Sequence, residues 1–366
     1  MEIALTQKLK KRLPNVILDS GEDLDPFYKW TINVTNVFED GEDDLLVMTN
    51  QETRFPVLIY NIDEFELEEM PQEEFIRFLM DKLRESLKQY GYSNKAIEAY
   101  CDQAGAVTFT KNSQAKQTSW NTNTALKASL YIGDEVNSER LVEEEPNQVL
   151  SYLLRNFPFK IGDDYHTPNE SMSDRLEALT EESVYEQEAF ELRVSLNLET
   201  FTIVRQIMLS ASVSFLELHK VIQKLMRWQD YHLYLFELEK NGSVEKFYPF
   251  EDELWDGKLA RDYRLESFLE VGNKFSYTYD FGNNWEFDIE VLSFQPNFQK
   301  ELPYVIKTKG NAPSEDASFD DSYFKILEVL SDPEHPEYDA VNTIFGKVFY
   351  EEREVDLPLS KTNIFW

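Results

Sequence analysis

From Phe275 to Val291 apolar and polar residues alternate, and the alternation runs through both sides of a Gly282-Asn283-Asn284 turn. Successive side chains of a strand point to opposite faces, so this period of two specifies a β-hairpin with one face apolar and rich in aromatic rings. Phe190, Leu192, Val194, Leu196 and Leu198 alternate in the same way, and Thr202 to Leu209 reads as their hairpin partner. Between these runs the period changes. Ser214-Phe215-Leu216-Glu217 is a capping box, in which a Ser cap and a Glu three residues on satisfy two amide donors at a helix start. Phe215, Leu218, Ile222, Leu225 and Met226 then line one helix face, and Trp228 ends it. Tyr231 to Leu238 is a third strand, followed by an exposed turn over Lys240-Asn241-Gly242-Ser243, and Leu265, Phe268 and Leu269 suggest a short helix before the Phe275 hairpin. The order is strand, strand, helix, strand, then two more strands. It predicts that residues 189–366 form a β-grasp-like (ubiquitin-like) mixed sheet with a covering helix. A further helix is expected over Ser322 to Leu330.

The first half also alternates strand and helix signals. Leu5, Leu9 and Leu13 share one face of a possible short helix, and Trp30 to Phe38, Leu45 to Met48 and Phe55 to Tyr60 read as strands. Glu39 to Asp44 reads as an acidic turn. Pro71, with acidic Glu73 and Glu74 after it, opens a helix carrying Phe75, Leu79, Leu83 and Leu87, which Gly91 stops. Ser93 caps a second helix with Ile97 and Tyr100. Ala106 to Phe109 is a short strand and Thr122 to Tyr131 one more helix. Residues 1–133 are thus expected to be an α+β domain. Residues 134–188, with Glu143-Glu144-Glu145-Pro146, Gly162-Asp163-Asp164 and an apolar piece from Val149 to Phe159, read as an acidic connector with a docking segment. The whole chain is expected to be a two-domain α+β protein.

The 366 residues carry a net charge of −33, spread over both halves. Nucleic-acid affinity comes largely from basic contacts to phosphates, so direct nucleic-acid binding is disfavoured and an unknown protein partner is the expectation. Cys101 is alone, which excludes an internal disulfide and a multi-cysteine metal site. No apolar run approaches the ~20 residues needed to cross a bilayer, and the N-terminus lacks a cleavable apolar leader, so a cytoplasmic location without membrane contact is expected.

Chemical motifs are sparse. Asp280-Phe281-Gly282 matches the metal-holding tripeptide of protein kinases, but neither a Gly-rich phosphate loop nor a His-Arg-Asp loop accompanies it. Turn geometry explains it better, with Gly282 and the Asn pair supplying positive φ and Asp280 capping the turn. No phosphate-binding, dinucleotide, nucleophile-elbow or zinc-helix motif occurs, and no cofactor or metal is implied. The four His are His166, His219, His232 and His335. A short turn joins the helix of His219 to the strand of His232, so these two rings can approach as an acid–base or ligand pair. The residues that could share a pocket or motif are His219, Trp228, His232, Tyr279, Asp280, Gly282 and Trp285.

Ser214-Phe215-Leu216-Glu217-Leu218-His219-Lys220-Val221-Ile222-Gln223, then Trp228, His232-Leu233 and Phe236, then Tyr277 to Gly282 with Trp285, resemble the plasmid pRiA4b ORF-3-like family. Members are also labelled passenger TnpR-like proteins of insertion elements. The resemblance runs from about Phe190 to Tyr338 and includes Asp332-Pro333-Glu334-His335-Pro336. It implies an α+β domain found in bacteria and archaea, often on mobile DNA, and carries no biochemical activity with it. This chain has Asn283 and Phe287 where members often have an acidic residue and a His, and its Gly310 to Asp316 loop lacks their cysteines, so a metal site built from those residues is not expected. Trp30, Asn50, Glu52, Thr53, Arg54 and Phe55 resemble, more faintly, an uncharacterised bacterial domain that accompanies the same family. The functional expectation is a non-catalytic interaction module linked to mobile elements. The alternative is a ligand-binding domain or enzyme with a pocket around His219, His232, Asp280 and Trp285.

Overall fold

A computed structural model describes residues 1–21, 23–36, 43–60, 64–112, 116–124, 126, 159–161, 164–240, 242–250, 257–317 and 321–362. They form two units, Met1–Tyr185 and Glu186–Trp366. Helices and strands are mixed in both, so the protein is of the α+β class.

The first unit is built on a five-stranded sheet. β1 (Glu2–Leu5) is an interior strand, parallel to β2 (Lys29–Asn36) on one side and to β5 (Thr108–Lys111) on the other. β3 (Asp43–Asn50) and β4 (Pro56–Tyr60) extend it as an antiparallel meander, giving the order β4-β3-β2-β1-β5. The helix expected over the first twenty residues is therefore shorter: α1 (Gln7–Arg12) follows a strand, and Leu5 belongs to the strand. Burial on both faces decides this, because all four residues of β1 are buried and their amides pair on two sides. α2 (Glu64–Glu69), α3 (Gln72–Gln89) and α4 (Asn94–Ala104) follow β4. Phe75, Leu79, Leu83 and Leu87 of α3 are fully buried against the sheet residues Ile3, Trp30, Ile32 and Phe109. Ser93 caps α4 by accepting from the Ala96 N–H. Trp30 Nε1 donates to the Tyr100 hydroxyl at 2.9 Å, which in turn donates to the Phe27 carbonyl, so the buried Trp30 indole leaves no orphan donor.

The sheet's other face mixes buried apolar Leu45, Val47 and Leu58 with polar Thr31 and Thr49. Residues 116–124 are helical there, and Asn121 Nδ2 donates to the Thr31 and Val47 carbonyls at 3.0 and 2.7 Å. The helix expected over Thr122 to Tyr131 thus begins earlier, and 127–131 lie outside the described residues, as does most of the acidic turn expected over Glu39 to Asp44. Of the expected connector over 134–188, residues 134–158, 162 and 163 lie outside the described residues. β6 (Phe159–Ile161), β7 (Asp164–His166) and α5 (Pro168–Thr180) belong to the first unit, where Met172 and Leu176 join its core.

The second unit is organised by a nine-stranded sheet. β8 (Gln187–Asn197) and β9 (Thr202–Ser210) form the first hairpin, and α6 (Phe215–Met226) follows with both halves of the Ser214/Glu217 capping box in place. β10 (Tyr234–Lys240) and β11 (Ser243–Tyr248) make a second hairpin, and the two-residue β12 (Lys258–Leu259) ends that edge. β13 (Lys274–Tyr279) and β14 (Trp285–Phe298) are the Phe275 hairpin. β15 (Tyr304–Lys309) and β16 (Glu352–Pro358) complete the order β12-β11-β10-β13-β14-β8-β9-β15-β16. Every pairing is antiparallel except β11 with β12. The expected strands and covering helix are present, with β11 and β12 added between the third strand and the Phe275 hairpin, and the sheet is mixed only through that short pair.

One face of this sheet meets α6. Phe215, Leu218, Ile222 and Leu225 pack with Val194, Phe236, Tyr277, Phe287 and Ile289, all nearly or fully buried. The rings of Phe215 and Phe247 stack at 3.8 Å between centroids. α7 (Ser322–Ser331) and a helical stretch from Tyr338 to Tyr350 enclose Phe201, Leu327, Leu330 and Phe349 in a smaller cluster. Because the capping box holds the first turn of the helix that covers the sheet, Ser214→Ala is expected to lower stability by about 1 kcal/mol. Urea unfolding followed by tryptophan emission measures it, and an unchanged midpoint would show that the cap is dispensable.

Candidate functional site

The residues singled out by sequence gather where the start of β10, the end of β13 and the turn into β14 meet the segment after α6. Arg227 closes α6 in the left-handed region at φ 63°, and Asp230, three residues on, repeats it at φ 64°. These two turns carry the chain from helix to strand and leave His219 and His232 in different surroundings.

His219 is fully buried and both its nitrogens are engaged. Nε2 lies 2.7 Å from Asp230 Oδ1 and Nδ1 lies 2.7 Å from the Tyr277 hydroxyl. We assign Nε2–H as donor to the carboxylate and Nδ1 as acceptor from Tyr277, because Gln223 Nε2 already donates to that hydroxyl oxygen at 3.0 Å. Lys220 Nζ donates to the other oxygen of Asp230 at 2.7 Å. The imidazole also stacks on Tyr234 at 3.8 Å. Burial would raise the Asp230 carboxyl, but the hydrogen bonds from His219 and Lys220 and the positive charge of Lys220 outweigh it and hold the group below its ordinary range. Burial also lifts the Tyr277 hydroxyl well above its usual value, so it stays protonated as a donor.

The second group surrounds Glu315, in the loop after β15. Its carboxylate accepts from the Gln229 N–H at 2.5 Å, from the Tyr231 N–H at 3.0 Å and from the Tyr279 hydroxyl. Trp228 Nε1 donates to the Pro313 carbonyl at 2.9 Å and Trp285 Nε1 to the Glu315 carbonyl at 3.1 Å. Trp228 stacks on Tyr279 at 5.3 Å and lies 5.6 Å from Trp285. Burial, followed by donation to Glu315, raises the Tyr279 hydroxyl as well. His232 sits outside this layer, 32% exposed, with Nε2 3.2 Å from Asp316 and 3.7 Å from Asp280. The two His rings do not pair with each other: each contacts Tyr279, at 6.0 and 5.8 Å between centroids.

Asp280 occupies the turn. Its Oδ1 accepts from the Gly282 N–H at 3.0 Å, and its carbonyl accepts from the Asn284 N–H at 2.6 Å. Positive φ falls on Asn284, as expected of the Asn pair, and on Asp280, both at 55°, but not on Gly282. Gly282 serves through its size instead, since a Cβ there would stand 3.2 Å from Asp280 Oδ1. Sequence reasoning passed over Asp230, Gln223, Tyr277 and Glu315 as site residues. Tyr277 alone carried a signal, its place in the same alternating row as Tyr279. Asp230 and Glu315 are two among 69 acidic residues.

One further buried charge lies in this core. Arg205 is fully buried on β9 and donates to the Leu225, Val204 and Lys309 carbonyls. Burial pushes its pKa down to about 10, so it remains a cation, facing the C-terminal carbonyls of α6 where a positive charge is favoured. Among the described residues no group of three His, Cys, Asp or Glu is arranged to hold a metal ion, and no helix is long and apolar enough to cross a membrane.

The second unit is thus an antiparallel α+β module whose helix and hairpin are tied by buried polar chains. The chain belongs to the plasmid pRiA4b ORF-3-like protein family, which residues 188–358 match. Residues 2–171 match a domain of unknown function (DUF6933). The uncharacterized protein y4hQ of Sinorhizobium fredii (strain NBRC 101917 / NGR234) is 31% identical over 148 residues, 39% of this chain and 74% of that protein. The crystal structure of the protein of unknown function MM3350 from Methanosarcina mazei Go1 is 31% identical and covers 46% of this chain and 96% of its own, with a TM-score of 0.36.

A carboxyl depressed in the folded state contributes stability above its unfolded pKa and loses it as pH falls through the folded value. The wild-type chain is therefore expected to lose stability below about pH 4, and Asp230→Asn to flatten part of that acid limb. Denaturant midpoints across the acid range check this. Parallel limbs in the two proteins would remove Asp230 from the account.

Proposed function

We propose that the second unit is a non-catalytic protein-interaction module serving a mobile genetic element. The observation that carries this reading is that the ionisable groups are already used within the fold. A catalytic acid or base must come within hydrogen-bond reach of the reacting group. His219 is sealed between Tyr277, Tyr234 and Asp230, and the Glu315 carboxylate accepts from two backbone amides and a phenol. Apolar side chains also face solvent here. Tyr231, Leu233 and Phe281 are 71, 37 and 47% exposed, on two segments joined by the Asp280 N–H to Leu233 carbonyl bond at 2.9 Å. Exposed apolar side chains beside polar groups such as His232 and Asp316 are features of interaction surfaces. The plasmid origin in the family's description supports a role on mobile DNA. The acidity of the chain, at −33, favours a protein partner over a phosphate backbone.

The second reading, a ligand or enzyme pocket around His219, His232, Asp280 and Trp285, draws support from His232, which alone among these side chains is substantially exposed while lying beside two carboxylates. The two readings separate in an affinity capture from the source cell. A protein retained by the wild-type chain is expected to be lost by a Tyr231→Ser, Phe281→Ser double variant of unchanged thermal midpoint. Retention of the same proteins by the double variant would rule out this surface. Selective loss in a folded Asp280→Ala variant would move the function to the pocket.

A further inference from the structure

Residues 311–317 lie outside every helix and strand, yet they are held as closely as a bound peptide. Gly310, at φ 70°, turns the chain out of β15. Beyond it, alternate carbonyls are each read by a side chain of the unit. The Tyr323 hydroxyl donates to the Asn311 carbonyl at 2.7 Å, Trp228 to that of Pro313 and Trp285 to that of Glu315. Burial alternates with the same step: Pro313, Glu315 and Ala317 are buried, and Ser314 and Asp316 are exposed. The buried carboxylate enters a nest made by the amides on either side of Asp230, whose left-handed backbone turns both N–H groups toward one anion. Trp228, Tyr279 and Trp285 form the aromatic wall of this site.

Backbone carbonyls read at every second residue, with one side chain captured in a nest, are the means by which domains recognise extended peptides in trans. We infer that residues 311–317 are an intramolecular occupant of a peptide-binding site, and that the site accepts a Pro-x-Glu segment of a partner protein in its place. This deepens the interaction reading and rests on it. The exposed Tyr231 and Leu233 flank the nest and extend the contact beyond the three positions the loop fills. The chemistry of the ligand is given by the occupant: a proline, one residue facing solvent, then a glutamate whose carboxylate takes the Gln229 and Tyr231 amides. An aspartate is one methylene shorter and is expected to bind more weakly.

While the site is filled in cis, a free peptide competes with a tethered one and its apparent affinity falls with the open fraction. The probe is a synthetic peptide of residues 310–317, read by fluorescence anisotropy against the full chain. Glu315→Ala removes the internal carboxylate and is expected to bind the peptide at least about tenfold more tightly than wild type, and not to bind a version carrying Glu315→Gln. A folded variant with no saturable binding overturns the proposal. So does a concentration-dependent dimer without peptide binding, which would make the site one for a second copy. Should Glu315→Ala fail to fold, hydrogen exchange on the wild-type chain decides. The Gln229 and Tyr231 amides are expected to exchange through local opening, faster than the β10–β13 ladder at Phe236 and Tyr277, and exchange only by global unfolding would make the loop a fixed brace. Peptide binding and partner capture through Tyr231 and Phe281 are separate measurements, so either can fail alone.

Discussion

A sheet face that carries hydroxyls and a guanidinium among its aromatic rings can be buried only if those polar atoms find partners, since each one left unpaired costs about 1–3 kcal/mol. That constraint governs the second unit. α6 covers the β8–β9 and β13–β14 hairpins, and its apolar face supplies most of the contact. Where the sheet presents Tyr277, the helix answers with His219 and Gln223. Where it presents Arg205, the helix answers with the Leu225 carbonyl. These pairs fix how the helix lies along the sheet, because apolar packing alone tolerates sliding and directional hydrogen bonds do not.

The same constraint explains why residues that look chemical have no free capacity. A buried Tyr–His–Asp chain has the makings of a proton relay, yet its inner end is a phenol that burial keeps protonated, and its outer end, Asp230, is shared with Lys220. The chain reads as a strut. Around Glu315 the logic extends to a loop, which is fastened through indole and phenol donors. Fastening of that kind leaves a segment ordered but separable, because no ladder of backbone pairs must break for it to leave.

Several features were legible in the sequence. Strict alternation located β8 and the β13–β14 hairpin, and the capping box placed the start of α6 within a residue. The strands β11, β15 and β16 were not read, and neither was β1. β1 is four residues long and buried on both faces, so it carries no alternation. β16 alternates charged with half-buried residues at a sheet edge, where little apolar surface is hidden to mark it. Of the site, Trp228, Tyr279, Asp280 and Trp285 could be named from their order along the chain. Their partner Glu315 could not, because acidic residues are too common here for one to stand out.

The sequence by itself determined the α+β class, the hairpins, the capped helix and the family, since local periodicity and capping chemistry are written in neighbouring residues. Tertiary structure alone decided which groups meet. His219 and His232 stand 13 residues apart along the chain, yet one is sealed in the core and the other faces solvent. Asp280 caps its turn and Asn284 takes positive φ as their sequence suggests, but the second positive φ falls on Asp280 and not on Gly282. The physical reason is range. Alternation fixes the face a side chain takes, whereas its partner, and with it the availability of its protons, is set by sheet order and loop docking across nearly a hundred residues of chain, as with Gln229 and Glu315.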